Sequence, residues 1–222
     1  MTLVTLVLLT LFIVLGRWQW HRGEAKEAVW AEYERDAASM PLGSRALGDI
    51  ARFAHIELNG TFEPDHQFLL DNRSYAGQPG YEVLTPFRLD DGRRVLVNRG
   101  WIAFTGFRDR LPDISMTAVT HSITGRIDEL PSGGLASGHA APEGAWPKVT
   151  SFPTHDELAS ALGSKLEQRI LLLDPQVPAG YVRDWSPPGM PPSRHFSYAI
   201  QWWGFAAVLL VLYFGLNFRK VS

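Results

Sequence analysis

The chain has 222 residues, of which 45% are hydrophobic and 20% are charged, and its formal net charge at pH 7 is −2. It contains no cysteine, which excludes disulfides, thiolate nucleophiles and cysteine-ligated metal centres. Because no basic excess is present to bind a phosphate backbone, we expect no nucleic-acid partner. These bulk values suit a soluble domain, but the hydrophobic residues are unevenly distributed along the chain.

Two uncharged blocks, residues 1–15 and 196–218, predict membrane-spanning helices. The second block would form a helix about 34 Å long, enough to cross a hydrocarbon core of about 30 Å. The first block reaches only about 22 Å and must continue through Trp20 to cross. A cleaved signal peptide is the alternative for the first block, but no basic residue precedes it and no small-x-small cleavage triplet lies between Leu11 and Gly23.

Basic residues follow both predicted spans: Arg17, Arg22 and Lys26 come after the first, and Arg219 and Lys220 come after the second. The positive-inside tendency therefore gives conflicting orientations. Two spans place both termini on one side of the membrane, and large loops are translocated largely regardless of their charge. We therefore expect both termini in the cytoplasm and the intervening domain on the other side.

These patterns divide the chain into a first span (1–20), a helical extension (21–40), an extracytoplasmic domain (41–194), a second span (195–218) and a tail (219–222). The extension is predicted because it consists of good helix formers with charge on most sides. Inside the domain, residues 130–147 are rich in Gly, Pro, Ala and Ser and predict a mobile loop.

Short runs of alternating polarity fill the domain. The strand candidates are 52–58, 67–70, 81–89, 93–104, 119–127, 169–173 and 181–185. Asn59-Gly60 predicts a hairpin turn, Asp90-Asp91-Gly92 predicts a second turn, and the capping-box spacing of Thr154 and Glu157 predicts one helix. The sequence thus predicts an α+β membrane protein, in which two transmembrane helices flank a mostly antiparallel, barrel-like β domain with a short helix.

No recognisable catalytic constellation is present, so we expect no enzyme. The seven histidines include no pair three or four residues apart, which rules out a helical metal pair. The sequence also lacks a nucleophile elbow, a phosphate-binding Gly-rich loop and a His-Glu-x-x-His motif. Asp90 and Asp91 precede Gly92 and are better explained as turn residues than as an acid and base.

His195 differs from the other histidines because it lies at the first turn of the second predicted span. A neutral imidazole there could ligate a haem iron. Tyr198 and Trp202 follow at i+3 and i+7, on the same helical face, and an aromatic face suits a flat apolar macrocycle. The alternative is an ordinary interfacial belt of aromatic and polar residues, and the pattern alone does not decide between the two.

Arg73 and Arg99 occupy similar contexts, Asp71-Asn72-Arg73 and Asn98-Arg99-Gly100, at or just after predicted strands. Two guanidinium groups could hold haem propionates or another anion such as a lipid headgroup. The alternative is that each arginine pairs with groups of its own domain.

Several motifs follow one another along the chain: GRWQ at 16–19, NGTF at 59–62, LDNR at 70–73, VLVNRGWI at 95–102 and HFSYAIQWW at 195–203. Together they resemble the surfeit locus protein 1 family of cytochrome c oxidase assembly factors. The resemblance covers nearly the whole chain, except for residues 130–147.

The resemblance implies two spans, a large periplasmic or intermembrane-space domain, and a role in building haem-copper oxidase. Bacterial members are thought to bind haem a and pass it to the catalytic subunit, with a histidine at the second span as ligand; here that residue is His195. Arg73 and Arg99 lie in family motifs without a demonstrated role. The expected partners are the oxidase catalytic subunit, haem a synthase and membrane lipid. The absence of a long presequence before Met1 favours a bacterial inner membrane.

Two other functions stay open. A scaffold could hold the oxidase catalytic subunit during assembly without ever touching haem. A membrane-anchored periplasmic hydrolase would require an acid and a base that converge only in the folded domain.

Overall fold

The computed structural model describes residues 2–35, 38–116, 122–131, 145–178 and 180–218. The chain divides into two compact units. One consists of Met1–Arg35 and Ser186–Ser222, and the other of Asp36–Trp185. The predicted tail at 219–222 lies outside the described residues, as do positions 132–144 of the predicted mobile loop.

The first unit is a pair of helices, α1 (Thr2–Glu34) and α3 (Pro192–Asn217). Both are long and apolar enough to cross a membrane. They are antiparallel, because Thr2 lies beside Tyr213 while Lys26 donates to the carbonyl of Pro188. The two spans predicted from the sequence are therefore present as helices.

The ends of both helices differ from the predicted limits. α1 ends at Glu34 rather than at residue 40, and Pro41 disfavours helical geometry at Met40. Instead, Met40–Pro41 forms a short strand. α3 begins at Pro192 rather than at residue 195, because proline fits the first position of a helix, where its missing N–H is not needed.

Two glycines let the helices approach closely. A Cβ atom at Gly16 would overlap the indole of Trp203, and one at Gly23 would overlap the ring of Phe196. Each aromatic ring therefore packs directly on the α1 backbone. These two contacts fix how α1 is rotated relative to α3.

The described residues of the second unit form eight strands, a short 3-10 turn at Leu47–Asp49 and one helix. The strands are β1 (Met40–Pro41), β2 (His55–Phe62), β3 (Phe68–Tyr75), β4 (Gln78–Leu89), β5 (Arg94–Ala103), β6 (Ser122–Asp128), β7 (Lys148–Thr150) and β8 (Ile170–Leu173). The helix α2 spans His155–Leu162 and has the predicted capping box, since Thr154 and Glu157 exchange side-chain and backbone hydrogen bonds.

Five strands close into a barrel in the order β2–β6–β8–β5–β4 and back to β2. All neighbours in this ring are antiparallel except β5 and β8. Closure occurs where Gly60–Phe62 of β2 pair with Phe87–Leu89 of β4. The mostly antiparallel, barrel-like sheet is as predicted.

The predicted hairpin at Asn59-Gly60 is wrong. Both residues lie inside β2, which continues to Phe62. The strand changes partner at this point, from β6 to β4, and the close backbone approach requires glycine because a Cβ atom at Gly60 would overlap the carbonyl of Arg88. The predicted turn at Asp90-Asp91-Gly92 is confirmed, with the Gly92 amide donating to the carbonyl of Leu89.

The barrel strands bury side chains on both faces. The interior is filled by alternate residues of the ring, including Ile56, Val95, Val97, Leu171 and Leu173. On the outer face, Ile170 and Leu172 of β8 pack in a second cluster with Leu158 of α2. The sequence of β8 is therefore an unbroken apolar run, because both faces of this strand are covered.

Candidate functional site

His195 lies in the first turn of α3, and its ring is half-buried. Its Nδ1 atom is 2.9 Å from Oε1 of Gln19 on α1. An amide oxygen can only accept a hydrogen bond, so this contact requires a proton on Nδ1. The neutral ring then carries its lone pair on Nε2, and that nitrogen is the one able to bind a metal.

The two aromatic residues predicted beside His195 have different surroundings. Tyr198 is 41% exposed. Trp202 stacks on Phe12 of α1, with ring centroids 5.8 Å apart. The face on which His195 lies is therefore open at Tyr198 and closed about one turn further along α3, at Trp202.

The next tryptophan of α3, Trp203, packs on other residues of α1. Trp203 lies 5.6 Å from Trp20, which also contacts Phe196 at 4.8 Å. The two consecutive tryptophans thus contact different residues of α1. The contacts Phe12–Trp202 and Gln19–His195 together define the part of the helix interface that is called the seam below.

A cation lies close to this seam on α1. Arg22 is one turn from Gln19 at i+3, on neighbouring surface of the helix, and its guanidinium lies 5.8 Å from the ring of Trp18. It is exposed and so remains accessible to a carboxylate. The sequence did not single out Arg22 as a site residue, although its spacing from Gln19 is visible there.

The donor set of the seam fits haem. One imidazole nitrogen is available for an axial position, aromatic rings lie beside it, and a guanidinium lies one helical turn away. Haem needs only one protein ligand of this kind, whereas a bare metal ion needs several. Among the described residues, no group of three or more His, Asp or Glu side chains could hold a metal ion.

Arg99 lies in the second unit and is 2% exposed. Its Nη1 atom donates to Oε1 of Gln67 at 2.8 Å, and its guanidinium lies 5.0 Å from the ring of Tyr181. Burial lowers the pKa of Arg99. These contacts match the alternative in which the arginine serves its own domain, and an external anion could reach it only if this network opened.

Arg73 is also mostly buried, but its contacts are looser. Its Nε atom is 3.8 Å from Oε1 of Glu82, its guanidinium lies 5.5 Å from the ring of Phe152, and Nη2 reaches the carbonyl of Ser151 at 3.4 Å. These residues differ from the residues named above as contacts of Arg99. The anion contact predicted for Arg73 and Arg99 stays a prediction.

His55 and Asp174 form a histidine–carboxylate pair in the barrel domain, with Nε2 and Oδ2 2.6 Å apart. The other ring nitrogen, Nδ1, is buried and has no hydrogen-bond partner. Neither nitrogen is therefore presented to a substrate, as a general base would require. This pair gives no support to a hydrolase.

Gln19 was missed by the sequence reasoning as a site residue. It lies in the GRWQ motif of the first predicted span, and its partner His195 is 176 positions away in the sequence. The available signal was a polar amide close to an apolar span, since such residues usually pair with another polar group.

Comparison with known proteins places these helices and the barrel in one family. Residues 6–207 match the model of the SURF1 family. A SURF1-like protein of Rickettsia bellii is 27% identical over 231 residues, covering 95% of this chain and 88% of its own. An uncharacterized SURF1-like protein of Mycobacterium tuberculosis is 29% identical, covering 87% and 73% of the two chains.

A shorter match is found in a eukaryote. A SURF1-like protein of Dictyostelium discoideum is 34% identical over 104 residues, which is 41% of this chain and 38% of its own. The family match extends from within α1 to within α3, so it includes parts of both helices and the whole barrel. The chain therefore belongs to the SURF1 family, which is known in general for assembly factors of cytochrome oxidase.

Proposed function

We propose that this chain binds haem a as cargo and assists its insertion into the catalytic subunit of a haem-copper oxidase. His195 ligates the iron through Nε2. The observation that carries the proposal is the hydrogen bond between His195 Nδ1 and Gln19 Oε1, which leaves Nε2 as the metal-binding atom on a partly open aromatic face. Membership of the SURF1 family supports oxidase assembly as the process served.

A single axial histidine suits a carrier. One imidazole holds iron less firmly than two, so release to an acceptor site with two histidine ligands is downhill. Tyr198 and the Phe12–Trp202 pair offer apolar rings to the macrocycle. Arg22 offers the haem carboxylates a charge-assisted hydrogen bond from α1. This role makes and breaks no covalent bond and needs no catalytic residue.

The orientation of the two helices bears on where the chain lies and which partners it meets. The antiparallel helices put the N-terminal end of α1 and the C-terminal end of α3 at the same end of the pair. We place that end in the cytoplasm of a bacterium and the barrel in the periplasm, on the inner membrane. The catalytic subunit of the oxidase receives the haem, and haem a synthase supplies it.

The first test is the absorption spectrum of the detergent-purified full chain, produced in cells that also make haem a. The wild type should carry bound haem, and His195→Ala should lose it or change its spectrum because the axial ligand is gone. His21→Ala is the matched control, since His21 is an exposed histidine on α1 that contacts Glu24. Haem retained unchanged in His195→Ala would refute the proposed ligand.

The scaffold function predicts a different result. Neither the wild type nor the variant would then carry haem. The chain would instead copurify with the oxidase catalytic subunit from cells that cannot make haem a. That pair of findings would replace the haem-carrier proposal with the scaffold.

A further inference from the structure

Gln19 lies between the two contacts that fix the rotation of α1 against α3. Gly16 receives Trp203, Gly23 receives Phe196, and Gln19 is three residues from one glycine and four from the other. Residues at these spacings share one helical face. The Gln19 side chain is therefore directed at α3 by packing that does not depend on its own polarity.

His195 immediately precedes Phe196, whose ring is seated on Gly23. The same packing therefore sets the height of His195 along α1, and the Nδ1–Oε1 distance of 2.9 Å is that of a well-formed hydrogen bond. The contact joins two helices at a position built by neighbouring side chains, rather than two mobile surface groups.

We infer that Gln19 is a positioning residue for His195: its amide oxygen holds the ring as the Nδ1–H tautomer and keeps Nε2 as the ligand atom. This inference deepens the proposed function, on which it rests. Metal-binding histidines almost always donate their second ring N–H to an oxygen, and that oxygen fixes the tautomer and raises the basicity of the ligand. Gln19 supplies that oxygen here.

The first readout is the tautomer of His195 in the haem-free protein. In 15N-histidine-labelled wild-type chain in detergent, His195 should show a protonated Nδ1 and an unprotonated Nε2. Gln19→Leu keeps the approximate volume but removes the acceptor, so the ring should populate the Nε2–H form. Gln201→Leu is the matched control, because Gln201 is an exposed amide on α3, and it should leave the His195 signals unchanged.

The loaded protein gives a second, independent readout. Gln19→Leu should weaken haem binding by about 10-fold to 100-fold, which is the usual effect of removing such an outer partner. Gln19→Glu restores an acceptor and strengthens it, so it should retain haem and lower the reduction midpoint potential, while Gln19→Leu should raise that potential. A contact that merely joined two helices would not produce opposite shifts.

The two proposals fail separately. If His195→Ala loses haem but Gln19→Leu keeps the wild-type tautomer and potential, His195 is the ligand and Gln19 is not its positioning residue. If Gln19→Leu changes the tautomer but His195→Ala retains haem, the positioning contact is real and the ligand lies elsewhere. If Gln19→Leu does not fold, a reduction midpoint potential in Gln19→Glu equal to that of the wild type would overturn the inference.

Discussion

Arg99 and its neighbours show how a single polar side chain can organise the inside of the barrel domain. Gln67 accepts hydrogen bonds from Arg99 and from Thr85, and its amide nitrogen donates to the carbonyls of Pro64 and Ile114. Both the oxygen and the nitrogen of the Gln67 side-chain amide therefore have hydrogen-bond partners. A buried guanidinium at this position is held by the fold itself, which gives it a structural role whether or not an anion ever reaches it.

Replacing Arg99 by Met should destabilise the chain by about 1.5–3 kcal/mol, because hydrogen bonds to a buried charged group are lost and their acceptors stay buried. Chemical unfolding of the full chain in detergent, followed by tryptophan fluorescence, measures the change. Arg88→Met is the control: Arg88 is 56% exposed in its ion pair with Glu63, so its loss should cost about 0–1 kcal/mol. Equal stability of the two variants would contradict the structural role of Arg99.

His155 gives the barrel domain a defined dependence on pH. It occupies the first position of α2, and burial lowers its pKa from the ordinary value of 6.5. The folded protein therefore binds fewer protons at this residue than the unfolded chain does. The stability of the fold that depends on a neutral His155 is fully present above pH 6.5, and it is lost as the pH falls through the lowered pKa of His155.

Melting temperatures between pH 7.5 and 5 should accordingly fall more steeply for the wild type than for His155→Gln. Other histidines titrate in the same range, so the difference between the two proteins is the quantity to compare. Parallel curves would mean that His155 does not couple folding to protonation.

Among the elements, β2 decides whether the barrel closes. It pairs with β6 along its first half and with β4 at its end, and Gly60 allows the backbones of β2 and β4 to touch. The backbone of Arg88 cannot move away as a flexible side chain could. Closure is thus sensitive to one missing Cβ atom.

Gly60→Ala should therefore destabilise the chain by at least about 1–3 kcal/mol, the usual cost of overpacking a rigid site. Gly48→Ala is the matched control, since its nearest neighbour is Gln168 Cβ at 3.8 Å, and it should be neutral or stabilising by about 0.4–1 kcal/mol. Chemical unfolding of the full chains compares them. A Gly60→Ala protein as stable as Gly48→Ala would show that the pairing of β2 with β4 does not limit closure.

Most elements could be predicted because they carry a local pattern. The capping box of α2 and the turn at Gly92 depend on neighbouring residues alone, and both formed as expected. Strands β1 and β7 were missed because two or three residues are too few to show a period. The Asn59-Gly60 error has a different cause: the same dipeptide that makes a hairpin turn also permits a close backbone crossing, and only the distant β4 distinguishes them.

The site was predictable to a smaller degree, for the same reason. His195 could be singled out from its place at the start of an apolar helix. The partner of Gln19 could not be predicted, because it lies 176 positions away in the sequence. The burial of Arg99 was also hidden, since its strand β5 is buried on both faces from Val95 to Gly100 and has no alternation that would mark an inside and an outside.

For the whole molecule, the antiparallel helix pair carries a prediction about topology. Alkaline phosphatase is active only outside the cytoplasm. A phosphatase inserted after Gly77, at the β3–β4 turn, should therefore be active. A phosphatase fused after Ser222 should be inactive. Fluorescent protein fusions at the same two positions should show the reverse, because both chain ends share one side. Activity of the phosphatase at Ser222 would contradict the proposed orientation.

The contact between Gln19 and His195 also sets an order of events during synthesis. Gln19 leaves the ribosome 176 residues before its partner, and every strand of the barrel is made in the interval between them. The seam of the helix pair therefore cannot form until the barrel sequence is complete. A chain that stops at any strand lacks His195 and therefore lacks the hydrogen bond to Gln19. Such truncated chains cannot compete with full-length chains for a ligand that requires this histidine.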